Sequence, residues 1–136
     1  PFARATLRKD LRRLLKRGKD LPRLAPPARH RVRIAAKKAR YATEFFASLY
    51  DAGQVRHYVK RLSVLQDELG WRNDIEVADG LLRALAEMQP DLLPQAAYVR
   101  GFLAAQLQGG AGKVLARPWR RFAAAPLPSK GSSGKA

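Results

Sequence analysis

Three fixed positive charges and a histidine share one side of a single predicted helix. The stretch from His30 to Glu44 reads His-Arg-Val-Arg-Ile-Ala-Ala-Lys-Lys-Ala-Arg-Tyr-Ala-Thr-Glu. Nothing in it breaks a helix, and an α-helix turns about 100° per residue. With His30 at the origin, Arg33, Lys37, Arg40, Tyr41 and Glu44 fall within an arc of roughly 100°. Val32, Ala35, Ala36, Ala39 and Phe46 fall on the opposite side. Like charges crowded on one stripe repel, and a bound anion offsets that repulsion. The chemistry implied is anion binding. His30 leads the stripe near the helix N-terminus, where the macrodipole favours an anion. Its neutral ring donates one N–H and its charged ring two. The Tyr41 hydroxyl either donates to a phosphate oxygen or its ring packs beneath the arginines. A solvated basic face and a locally hydrogen-bonded histidine are the plainer readings of the same residues.

The overall charge agrees. The chain has 136 residues, with 27 Lys and Arg against 11 acids, a net charge of +16 and a pI near 11.2. That imbalance points to a polyanion: nucleic acid, an anionic membrane or polyphosphate. There is no cysteine, so disulfides, thiolate chemistry and Cys-ligated zinc are excluded. No apolar run approaches the ~20 residues of a membrane span, and no signal peptide is visible. The chain starts at Pro1, which reads as a fragment or a processed product.

Catalytic patterns are missing. The sequence has no His-x-x-x-His pair, no Gly-rich loop before Lys-Ser/Thr and no nucleophile motif. Asp67 and Asp74 flank an expected helix break and would suit a hydrated magnesium ion, but Asp74 is more simply a helix cap. His57 reads as a surface residue. The expectation is a chain that is not an enzyme and has no metal or other cofactor.

The elements that position the stripe follow from apolar spacing. Leu7, Leu11, Leu14 and Leu15 predict a first helix over 2–17, with Arg4, Arg8 and Arg12 forming a basic stripe beside it and Gly18 closing it. Pro22, Pro26 and Pro27 form a stiff link. The second helix is expected over about 27–51, ending at Gly53. Val55, Tyr58, Leu62, Leu65 and Leu69 predict a third over about 54–69, with Arg56 and Lys60 facing away and Gly70 closing it. Asn73 or Asp74, with Glu76 completing a capping box, opens a fourth. Its expected buried positions are Val77, Leu81, Leu82 and Leu85. A fifth helix over about 93–108 carries Ala97, Phe102 and Leu103, and a short last one carries Leu115, Trp119 and Phe122 before Pro126 and Pro128. No segment alternates as a strand does. The fold class is all-α, an antiparallel helical bundle of about five to six helices over 1–128, with a disordered Gly/Ser/Lys tail at 129–136.

His30-x-x-Arg33-x-x-x-Lys37-x-x-Arg40-Tyr41, followed by Leu62-x-x-Leu65-Gln66-Asp67-x-Leu69-Gly70-x-x-Asn73-Asp74, resembles the CHAD family, the conserved histidine α-helical domain. Trp119 and Phe122 extend the resemblance over most of residues 4–123. It departs at Ala39, where leucine is usual, and at Pro126-Leu127, where the family closes with Pro-Phe-Trp. The resemblance implies an all-helical domain of two similar halves, each with a His-x-x-Arg helix, and this chain resembles the second half. It implies binding of inorganic polyphosphate along a basic helical surface and residence in the cytoplasm, on polyphosphate granules. His30, Arg33, Lys37, Arg40 and Tyr41 carry over by the motif; Lys60, Arg4, Arg8 and Arg12 join them from charge placement. The expected partners are polyphosphate, with phosphate or sulfate as mimics, and either a second copy in a weak homodimer or a missing N-terminal half. A nucleic-acid-binding bundle is the alternative reading of the same charge. The aromatic residues at core spacing supply no stacking platform for bases.

Overall fold

A computed structural model describes residues 1–108 and 111–131, with the side chains of 111–114 excepted. Five α-helices follow one another: α1 (Phe2–Arg17), α2 (Pro26–Phe45), α3 (Ala52–Met88), α4 (Leu93–Gln108) and α5 (Ala111–Ala123), with three short 3-10 turns between them. The described residues contain no strand. The fold is the expected all-α helical bundle.

Helix α2 lies between α1 and α3, while α5 packs on α3 and on the turn at 21–23. The buried face of α2 consists of Val32, Ala35, Ala36, Ala39 and Thr43. This is the apolar side expected from the wheel, except that Phe46 is only half-buried. Leu14, Leu21, Tyr58, Leu62, Leu65, Leu69, Leu115 and Phe122 complete the core around it, with Trp119 partly buried against it. Gly18 closes α1 with φ −87°, outside the left-handed region. Its glycine is required by contact: an added Cβ would overlap the indole of Trp119. A residue near the start of the chain thereby fixes the seat of one near its end.

Several expected boundaries are corrected. Helix α2 stops at Phe45 and not near residue 51, and Gly53 lies in the first turn of α3. Asp51 starts that helix, its Oδ1 accepting from the Gln54 N–H at 2.9 Å. No break occurs at Gly70, and Asn73 and Asp74 cap nothing, because α3 runs unbroken for 37 residues. The buried spacing explains this: Leu62, Leu65, Leu69, Arg72 and Ile75 continue one stripe across Gly70 without a phase shift. A mid-helix glycine costs only about 1 kcal/mol, which packing along that stripe offsets.

Beyond Ile75 the expected core positions fail. Val77 and Leu85 are exposed, and Leu81 is 67% exposed; Leu82 is half-buried. On α4, Phe102 is 59% exposed and Ala97 exposed, with Leu103 half-buried. This distal part of α3 packs against α4, and a helix with one neighbour buries one narrow stripe. Asp79 ties the two helices, its Oδ1 accepting from Arg100 Nε at 2.7 Å and its Oδ2 lying 3.1 Å from Arg83 Nε. Of the expected tail, Ser129 is held: its N–H donates to Gln54 Oε1 at 2.9 Å, and its carbonyl accepts from the Asp51 N–H. Residues 132–136 lie outside the described residues, as do the glycines at 109 and 110.

Two outcomes are expected. Asp51→Ala lowers unfolding free energy by about 1 kcal/mol through loss of the cap, whereas Asn73→Ala changes it by less than about 0.5 kcal/mol; denaturant unfolding distinguishes them, and the reverse order would restore a break near Gly70. The hydrogen bond from Arg100, and then its charge and that of Arg83, hold the Asp79 carboxyl below the usual carboxylate range. A depressed folded pKa means that this contribution is present above about pH 4 and fades as pH falls further. The acid loss of stability is therefore smaller in Asp79→Asn than in the parent chain.

Candidate anion-binding site

The basic stripe of α2 divides into a seam and a crest. At the seam, α2 meets α3. Arg29 pairs with Glu76 through its Nη2. Arg40 Nη1 donates to Gln66 Oε1 at 3.2 Å, and its Nε lies 3.3 Å from Glu44 Oε1. Between these two arginines, Arg33 lies beside Gly70, where an added Cβ would stand 3.7 Å from its Nε, an ordinary contact. That Nε is buried and has no hydrogen-bond partner.

The crest is open to solvent. His30, Lys37 and Tyr41 are exposed. Lys37 Nζ and Arg40 Cζ each lie 5.6 Å from the centroid of the Tyr41 ring. The ring thus packs against the two cations, one of the two roles expected for it. Such contacts contribute roughly 0.5–1 kcal/mol at exposed sites. Among the described residues, Arg33, Lys37 and His30 have no ion-pair partner. The arrangement holds Arg29 and Arg40 in place by internal acceptors and leaves Arg33 and Lys37 between them without an ion pair among the described residues.

Two contributors escaped the sequence reading. Arg29 is one helical turn before Arg33, and extending the stripe upstream would have found it. Arg72 is 5% exposed on the core stripe of α3. Burial lowers its pKa and Arg29 adds to that, while Glu68 and Glu76 favour its charged form. Nothing in its spacing separated it from the leucines around it.

The residues added from charge placement stand elsewhere. Lys60 lines a cleft of about 750 Å³ between α3 and α5 with Arg61, Glu68, Arg117 and Arg121. Arg4 and Arg8 are exposed on α1. Arg12 lines a separate cleft between α1 and α2. Asp67, Asp74 and His57 are exposed on the unbroken α3, and no group of three or more His, Asp or Glu suited to a metal ion occurs among the described residues.

A family model for the CHAD domain matches residues 1–83. The chain belongs to the CHAD domain family. A crystal structure of the CHAD domain from the plant Ricinus communis is 35% identical to it and superposes with a TM-score of 0.82. The match covers 94% of this chain and 44% of that one, so the chain spans less than half the length of the solved CHAD domain. No curated protein matches it. The Arg-rich helix is thus a CHAD helix, and no helix of the described residues is long and apolar enough to cross a membrane.

The seam generates a stability difference. Arg29→Ala removes one cationic partner of the partly buried Glu76 carboxylate and should cost about 1 kcal/mol. Arg33→Ala removes a buried donor that had no acceptor and should cost distinctly less. Thermal unfolding of the two variants checks the order; equal losses would mean that Arg33 has a structural partner.

Proposed function

We propose that this CHAD chain is a non-catalytic binding module for inorganic polyphosphate, held on the crest of α2. The observation that carries the reading is the buried Arg33 Nε, which lacks an acceptor beside the exposed Lys37 and His30. An unmet buried donor costs about 1–3 kcal/mol. The residue as a whole is half-buried and has no ion pair among the described residues, so a phosphate oxygen would offset that cost through a charge-assisted hydrogen bond to its terminal N–H groups, and the next phosphates along a chain would meet Lys37 and His30. Polyphosphate has a negative charge on every phosphate and no bases, so it needs a row of cations and no stacking platform. Tyr41, the aromatic residue of the crest, has its ring against Lys37 and Arg40. Membership of the CHAD family supports the same ligand, and such a chain would concentrate on polyphosphate granules in the cytoplasm.

Binding of labelled long-chain polyphosphate should weaken on the order of 10²-fold between about 50 and about 200 mM salt, because each neutralised phosphate releases a counterion. Arg33→Ala and Lys37→Ala should each weaken it further at fixed salt with helical content unchanged. Single-stranded DNA of equal charge should compete poorly. Salt-independent binding, or DNA as the better competitor, would overturn the polyphosphate reading.

A further inference from the structure

A strongly cationic concavity lies away from the α2 crest. It lies where the end of α1, the following turn and the start of α2 converge. Arg12, Arg13, Lys16 and Arg17 from α1, Lys19 from the turn and Arg31 from α2 line a cleft of about 640 Å³, with Leu24 and Ala28 as its apolar part. One carboxylate offsets these charges among the described residues: Asp10, 3.6 Å from Arg13. The other five cations have no ion pair there. Lys16 and Arg17 also suit the C-terminal turn of α1, where cations meet the negative end of the macrodipole. That role accounts for two of the six charges and not for the concavity.

A second feature of this corner favours an anion independently. Helix α2 starts with Pro26 and Pro27, has no side-chain cap and has no acidic residue in its first turn. The helix itself therefore supplies neither a cap nor a carboxylate to its positive end, and Glu76 from α3 approaches it on the other flank, at Arg29. Ala28, in that first turn, is part of the cleft wall. Six cations and an uncapped helix start thus face one small volume, which suits several phosphoryl groups close together.

We propose that this α1–α2 corner is a second phosphate-binding subsite, taking consecutive phosphoryl groups of a linear oligophosphate. It extends the polyphosphate reading by giving α2 a ligand on each flank. Arg31 in the cleft and His30 on the crest are adjacent residues of one helix, so a long chain passes from one subsite to the other. A short oligophosphate occupies each separately. The two attachments of a long chain then reinforce each other through effective concentration.

Calorimetric titration of the full chain with tripolyphosphate tests this. The parent chain should take two equivalents. Lys16→Gln/Arg17→Gln/Arg31→Gln should take one, and its affinity for long-chain polyphosphate should fall on the order of 10²-fold. Arg33→Ala/Lys37→Ala should likewise keep one equivalent, bound at the corner. If the triple variant loses helical content, Lys19→Gln/Arg31→Gln, with α1 untouched, replaces it. Corner variants that bind the same number of equivalents with the same affinity overturn the second subsite. If the parent takes one equivalent and only the corner variants lose it, the corner stands and the crest reading falls. If only Arg33→Ala/Lys37→Ala loses it, the corner proposal is overturned.

Discussion

The small residues on the inner face of α2 are what the rest of the structure depends on. Ala35, Ala36 and Ala39 are buried almost completely, alongside Val32. A helix whose core face is alanine can lie close to its neighbours on both sides. That closeness brings the arginines on the flank of α2 within hydrogen-bond reach of Gln66 and Glu76 on α3. It also brings Arg31 and Ala28 up to the end of α1. Larger side chains on this face would fill the same volume with fewer contacts between helices and would move both flanks outward. Ala39, at 2% exposure, carries this small-residue face one turn beyond Ala35.

The charges of α2 are sorted by that geometry. Arginines at the seam with α3 meet acceptors from the protein, because a guanidinium that loses water must find partners. Arg29 has Glu76, and Arg40 has Gln66 and Glu44. Arg33, between them, stands beside Gly70, a position of α3 without a side chain. The absence of a side chain there removes the acceptor that would have internalised Arg33. Gly70 is thus a position of close packing beside Arg33 and not a helix stop. Its position in a helix is tolerated because the buried stripe of α3 passes through it unbroken.

Much of this was legible in the sequence. The first helix, the inner face of α2, the core stripe of α3 up to Leu69 and the role of Phe122 follow from spacing alone. The errors share one cause. Gly53, Gly70 and Asn73 read as punctuation by residue type, whereas tertiary packing carries the helix through them. The phase of the leucines across Gly70 carried the correct answer. Val77, Leu81 and Leu85 have the spacing of a buried stripe, but spacing cannot say how many neighbours a helix will have. On the candidate site, the motif named His30, Lys37 and Tyr41, which the fold exposes together, and Arg33 and Arg40, which it sets at the seam with α3. Charge placement alone assembled Arg4, Arg8, Arg12 and Lys60 into one surface, and the fold distributes them over α1, the α1–α2 corner and the α3–α5 cleft.

That distribution bears on what kind of polyanion fits. Basic residues line the crest of α2, the corner at its start and the cleft beside α5, so positive potential extends around the bundle and is not focused on one groove. A rigid duplex presents its phosphates along two fixed helical strands and would touch one such face at a time. A flexible single chain can follow the curvature from one face to the next, with each added phosphate finding a cation. Flexible polymers with bases can also do so, but their affinity leans on aromatic faces open to the bases. The crest holds Tyr41 against two cations, while Tyr58 and Phe122 are sealed in the core. Of the other exposed aromatics, Tyr98 and Phe102 stand on α4, Trp71 on α3, and Phe2 and Phe45 at the ends of α1 and α2. The one aromatic ring of the crest thus packs against cations and forms no row of open faces beside them, which favours a ligand made of charge alone.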